Sequence, residues 1–269
     1  MKGNKKKASK VLLSSTLLLT MFFTTMPTSV FAVENAAIDE TNFPDDVFRT
    51  YVQKFDTNND GSLSIAEREA ENAKTINVEW KSGKKISSLK GIEHFTSLTT
   101  LNCKENSLTS LDLSKNTKLI QLNCGSNSLT KLDLSQNGKL TNLSCYTNLL
   151  ESLNISSNRG LTDLDCENNS LTRLDISSNE SLTGLWCYGN KLTGLDVSKN
   201  KALRNLFCSS NQLTSLDVSN NTALTNLECA DNQLTSLDVS ENIALTNFEC
   251  SPQNSTILYD KNKGYLLSA

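Results

Sequence analysis

The sequence predicts a solenoid of stacked parallel β rungs behind a small helical cap, and three observations carry that prediction. A unit of 21 residues runs seven times from Leu98 and begins an eighth that reaches Cys250. All eight cysteines, Cys103, Cys124, Cys145, Cys166, Cys187, Cys208, Cys229 and Cys250, fall at one position of that unit. Ahead of the repeats, residues 56–67 read DTNNDGSLSIAE, the spacing of an EF-hand calcium loop. Each repeat reads L-x-x-L-x-C-x-x-N-x-L-x-x-L-x-[LIV]-S-x-N-x-x, a leucine-rich repeat with cysteine at an inward position where leucine is usual. The fold class is therefore an α/β, β-rich, right-handed leucine-rich-repeat solenoid with parallel β rungs on both sides and an α-helical EF-hand-like N-terminal cap.

Residues 1–32 read as a secretory signal peptide. Five lysines precede an apolar run over residues 11–26, and Val30, Phe31 and Ala32 supply a small-residue cleavage site. The run is short of the roughly 20 residues a membrane span needs. Without this segment the chain carries 21 Lys and Arg against 29 Asp and Glu, a net charge of −8. That balance argues against a nucleic-acid partner and against an anionic membrane.

Residues 33–75 form the expected cap. Phe43, Val47, Phe48, Tyr51, Val52 and Phe55 recur at spacings of three and four, the period of an amphipathic helix over residues 42–55. In the loop that follows, Asp56, Asn58, Asp60, the Ser62 carbonyl, Ser64 and Glu67 offer the hard oxygen ligands that calcium prefers, and Gly61 stands at the sharp turn. The alternative is a loop that keeps the EF-hand shape without the metal, since such loops usually pair and this one is single. A short exit helix through residue 73 leads into an irregular first coil over residues 76–97, with Trp80 expected beneath the cap and His94 on the surface or at the cap.

Within each repeat of residues 98–250, alternation turns Leu101 and Cys103 inward and Thr100, Asn102 and Lys104 outward. Asn106 and its counterparts Asn127, Asn148, Asn169, Asn190, Asn211 and Asn232 are expected to form a ladder that satisfies the backbone where each rung bends. The second half of the unit, as in Leu111 to Asn116, repeats the pattern and predicts the second rung. No coil buries its leucines alone, so the stack is the folding unit. In-register rungs point neighbouring cysteines the same way, against the torsion near 90° that a disulfide needs, so the thiols are expected free and buried. Residues 251–269, where Pro252 interrupts the rung and Gln253 replaces the ladder Asn, are expected to close the last coil, with Ile257, Leu258, Tyr259, Tyr265, Leu266 and Leu267 laid over it.

Positions that stay constant between coils serve stacking, and those that vary are free for something else. On the cysteine side the variable outward positions bring together Tyr146, Trp186, Tyr188 and Phe207, with Asp163, Asp165 and Glu167 between them and Glu228, Asp231 and Glu249 beyond. Exposed aromatics on a rigid sheet are favoured binding anchors; the other reading is that they pack on one another across the rungs. The opposite rung carries Asp112, Asp133, Asp175, Asp196, Asp217 and Asp238, read as scaffold. No phosphate loop, zinc motif or catalytic triad stands out, and the chain is read as a non-enzyme.

A signal peptide, an EF-hand-like cap and a run of leucine-rich coils resemble the internalin family of secreted and surface proteins of Gram-positive bacteria. One inward cysteine per coil is similar to its cysteine-ladder type. The resemblance covers roughly residues 42–250 and implies recognition of a host surface protein, in adhesion or virulence, by a monomer; a glycan or mucin partner and a structural envelope role with a calcium-stabilised cap are the alternatives. No wall-sorting signal or mucin-binding module follows the repeats, so release into the medium is the expectation.

Overall fold

The computed structural model describes residues 35–250, Gln253 and the backbone of residues 257–260 and 265–268. The segment read as a signal peptide lies outside the described residues, as do the side chains assigned to closing the last coil. Among the described residues no helix is long and apolar enough to cross a membrane.

The cap begins with β1 (Ala36–Ala37) and α1 (Asp46–Val52), which runs on as a three-ten turn over Gln53–Phe55. Asp45 starts the helix by accepting hydrogen bonds from the Val47 and Phe48 amides, a standard N-cap. The loop then leads through β2 (Ser62–Leu63) into α2 (Ile65–Glu69). Phe43, Phe48, Val52, Phe55 and Leu63 are all buried, and Phe55 meets Phe95 of the first coil edge to face at 5.3 Å. A polar stitch reinforces this: Asp45 Oδ2 accepts from the Ser87 amide at 2.8 Å and hydroxyl at 2.9 Å. The cap is thus docked on the first coil by apolar contact and by a shared carboxylate.

Nine rungs follow in one parallel sheet: β3 (Thr75–Asn77), β4 (Thr100–Asn102), β5 (Gln121–Asn123), β6 (Asn142–Ser144), β7 (Asp163–Asp165), β8 (Gly184–Trp186), β9 (Asn205–Phe207), β10 (Asn226–Glu228) and β11 (Asn247–Glu249). Register is strict, Leu101 opposite Leu122 and so on to Leu227 opposite Phe248. A slip by one residue would turn every leucine to water, so the repeat pattern leaves no alternative. The segment expected to be irregular, in which Ile76, Val78 and Trp80 alternate like a strand, supplies the first rung, β3, and Trp80 is half-buried, its Nε1 donating to the Gly83 carbonyl at 3.0 Å. A hairpin of β12 (Ile257–Asp260) and β13 (Tyr265–Ser268) pairs antiparallel and separately from the large sheet.

The ladder forms as the pattern predicts. Asn169 is typical: its Nδ2 donates to the Cys145, Cys166 and Glu167 carbonyls, each at 3.1 Å, and its Oδ1 accepts from the Leu150 amide at 3.0 Å. Gln253 keeps the register rather than ending it, accepting from the Leu234 amide and donating to the Cys229 and Cys250 carbonyls. The residue before each ladder Asn is left-handed, as at Glu105, Ser126, Thr147, Asn168, Ser210 and Asp231, with Gly189 at the same position. For Thr147 that conformation is costly, and the four bonds of the neighbouring Asn hold it.

On the opposite side the expectation of a second parallel β ladder narrows to one isolated bridge, Asp133 with Asn154. The carbonyls that a ladder would use are taken by a second asparagine column. Asn137 Nδ2, for example, donates to Leu113 O at 3.1 Å and Asn116 O at 3.0 Å. The aspartates there are scaffold: Asp112 Oδ1 accepts from the Ser114 amide at 2.9 Å, and the later coils repeat the turn.

All eight cysteines are free and buried. Burial pushes the thiols of Cys103, Cys124, Cys145, Cys166, Cys187 and Cys208 up, Cys124 and Cys208 to about 12, so at neutral pH these six are protonated hydrophobes rather than nucleophiles, while a hydrogen bond between the last two cysteines of the chain raises Cys229 and lowers Cys250.

Candidate partner-binding face

Parallel register sorts the outward side chains of the sheet into columns. One runs Asn142, Asp163, Gly184, Asn205; the next runs Ser144, Asp165, Trp186, Phe207, Glu228, Glu249. Tyr146, Glu167 and Tyr188 follow two residues further along successive rungs. The seven residues predicted to bind a partner therefore share one face, and each is half-buried.

Within that face the structure divides them. Trp186 and Phe207 stack across adjacent rungs, ring centroids 5.8 Å apart and planes at 8°, so for this pair the reading in which the aromatics pack on one another holds. Trp186 lies over Gly184, where a Cβ would come within 2.4 Å of the ring. Tyr146 instead covers Gly125, whose Cβ would meet its ring at 2.3 Å, and so leans away from Trp186. Neither glycine stood out as a site residue, yet each was readable: Gly125 precedes Tyr146 by one repeat, and Gly184 is the same-face neighbour of Trp186.

Between the aromatics lies an open groove of about 450 Å³ lined by Asn142, Leu143, Ser144, Asp163, Asp165, Glu167 and Trp186. Asp163 Oδ2 accepts from Asn142 Nδ2 at 3.0 Å and from the Thr162 hydroxyl at 2.7 Å. Asp165 has only a long contact with the Glu167 amide, 3.4 Å. Burial, with the charge of Glu167 adding to it, pushes the Asp165 carboxyl up to about 7. A carboxyl raised by folding makes the folded state less stable as pH climbs from the ordinary carboxylate range towards 7, since the charge must then be carried half-buried. Burial and the neighbouring Glu167 raise the Tyr188 hydroxyl to about 12. A second groove of about 430 Å³ adjoins the first, sharing Asn142 and Ser144, and its wall sets the amides and hydroxyls of Asn77, Asn102, Gln121, Asn123, Thr75 and Thr100 beside Ile76, Leu101 and Leu122.

In the cap loop, Asp56 Oδ1 and Oδ2 accept from the Asp60 and Gly61 amides, and Asn58 Nδ2 donates to Asp60 Oδ2 at 3.0 Å. Ser62 donates to Asp60 Oδ1 through its amide at 2.8 Å and its hydroxyl at 2.7 Å. Asp56, Asn58, Asp60 and Ser62 are thus drawn together around a turn in which Gly61 takes a φ of 79°. Glu67 reaches back to the start of the loop: Oε2 accepts from the Ser64 amide and hydroxyl, forming a capping box on α2, and Oε1 accepts from Thr57. Hydrogen bonds from Ser64 and Thr57 lower its carboxyl to about 2, so this contribution is present above the ordinary carboxylate range and is lost as pH falls towards 2. Among the described residues no three His, Cys, Asp or Glu side chains converge as a metal cluster. The donor set, all oxygen, still fits a hard cation.

No protein-family model and no curated protein matches the chain. Solved structures do. The functional domain of InlJ from Listeria monocytogenes, which includes a cysteine ladder, is 33% identical, covering 83% of this chain and 58% of that one, with a TM-score of 0.52. This chain is an internalin-like leucine-rich repeat protein of the cysteine-ladder type. A leucine-rich repeat protein of Leptospira interrogans is 26% identical over 64% of the internalin-like chain and 46% of its own, TM-score 0.58. Internalin C2 of Listeria monocytogenes shares the fold, with a TM-score of 0.70 at 19% identity over 82% of this chain and 98% of that one. The internalin-like chain thus spans about half the length of the first two relatives. The fold it shares with them is the leucine-rich repeat solenoid.

Proposed function

We propose that this is a secreted or surface-exposed bacterial protein that binds a host surface protein through the sheet face carrying Trp186, Tyr188 and Phe207. The observation that carries the reading is the open groove in which the Trp186 ring stands beside a half-buried Asp165 on a rigid sheet. A flat aromatic anchor next to polar groups is what binding hot spots are made of. The amide-lined groove beside it favours a second reading, a glycan borne by the partner. One capture experiment addresses both. The full chain retrieves a protein from host-surface extracts, and Trp186→Ala with Tyr188→Ala loses at least about tenfold of that retrieval while unfolding at the wild-type temperature. Retrieval unchanged by the double substitution overturns the protein reading; retrieval unchanged after enzymatic removal of glycans overturns the glycan one.

A second proposal concerns the cap, where Asp56, Asn58, Asp60, Ser62, Ser64 and Glu67 hold calcium. In support, the single loop is not without a strand partner: Leu63 pairs with Ala36 and Ser62 with Ala37, so β1 takes the place that a second loop fills in paired sites. Calcium about twentyfold above its dissociation constant should add about 2 kcal/mol to the stability of the cap. Calorimetry in calcium and in chelator checks this, with Asp60→Ala expected to erase the difference. Identical transitions in the two buffers would dismiss the metal.

A further inference from the structure

We propose that the groove between β6 and β8 receives a lysine or arginine side chain, presented by a basic segment of the protein partner. This rests on the reading that the sheet face is the partner face, and it names the chemistry recognised there. Asp163 and Asp165 alternate along one rung, so their side chains leave the same side from backbone positions about 7 Å apart, and Glu167 follows just beyond the strand and lines the same groove, a set that a guanidinium or ammonium on a flexible stem can reach. Trp186 forms a wall of the same groove, and an aromatic ring beside carboxylates suits a cation by its quadrupole as well as by charge.

The cation in the same outward column as Glu167, Lys104, stands three rungs from it and is already paired with Glu79 and Glu105. From Asn142 to Glu249 the three outward columns hold Asp163, Asp165, Glu167, Glu228 and Glu249 and not one lysine or arginine. The ion pairs among the described residues all lie between Glu40 and Glu105. Asp165, half-buried and with one long amide contact, is therefore a carboxylate whose burial a bound cation would offset. The Asn142 amide and the Thr162 hydroxyl already fix Asp163 in place, while Asp165 keeps only its long amide contact.

The probe is a fluorescent peptide of alternating arginine and glycine, titrated into the full chain by anisotropy, with a glutamate–glycine peptide as control. Asp165→Asn with Glu167→Gln is expected to weaken arginine-peptide binding by at least about tenfold. Glu228→Gln with Glu249→Gln removes the same charge from the same face outside the groove and is expected to change it by no more than about threefold. Equal losses in the two double variants, or no preference for the arginine peptide, overturn the inference. The two readings fail separately: if the Trp186 and Tyr188 variant loses the captured host protein while excess arginine peptide leaves capture intact, the face stands and the cationic site falls.

Discussion

Asn169→Ala is expected to destabilise the repeat array by about 3 kcal/mol. The alanine leaves the Leu150 amide buried with its only partner gone and removes the Nδ2 bonds that tie the Cys145 carbonyl of one coil to the Cys166 and Glu167 carbonyls of the next. It also releases Asn168, whose positive φ of 51° the ladder bonds hold in place. Asn179→Ala, in the second column, is the informative comparison. Asn179 also spans two coils, donating to Ile155 O at 3.2 Å and Asn158 O at 2.8 Å, but its buried Oδ1 accepts nothing among the described residues. Its loss orphans no amide and should cost about half as much. Urea unfolding followed by circular dichroism measures both; equal losses would mean that the two columns do the same job and that the Leu150 amide bond is of no consequence.

The other large effect is expected at the cap. Phe55 is 1% exposed and packs on Phe95 of the first coil and on Tyr51, so Phe55→Ala opens a void at the junction and should cost about 4 kcal/mol. In a stack with nearest-neighbour energetics such a loss is felt first at the end it uncovers. Hydrogen exchange should therefore accelerate at the amides of β3 and β4 well before those of β9 and β10. The prediction fails if exchange rises uniformly along the array, or if the Asp45–Ser87 bonds hold the cap so that the first rungs remain protected.

Much of this architecture was legible because a repeat is an experiment performed many times on one chain. A residue that recurs every 21 positions must meet its own copy, so the inward Leu101 and Cys103, the Asn106 ladder and the free thiols follow from spacing alone. Positions that recur without alignment failed in the opposite direction at the ends. Gln253 looked like a broken register because its side chain is one methylene longer than Asn, yet its amide reaches the same carbonyls. The opposite rungs looked like strands because L-x-L-x-x-N copies the first half of the unit. Which carbonyls are free to pair depends on where Asn137 and its counterparts place their amides, and that is a contact between coils.

The face divides along the same line. That Tyr146, Asp163, Asp165, Glu167, Trp186, Tyr188 and Phe207 share one side follows from a period of two and a repeat of fixed length, both written in the chain. That Trp186 lies down on Gly184 against Phe207 while Tyr146 turns to Gly125, and that Asp165 is left half-buried without a cation, was decided only when the coils were stacked. Periodicity sets which way a side chain departs from its rung; the neighbours it lands on, and the charge they do or do not bring, belong to rungs 21 residues away.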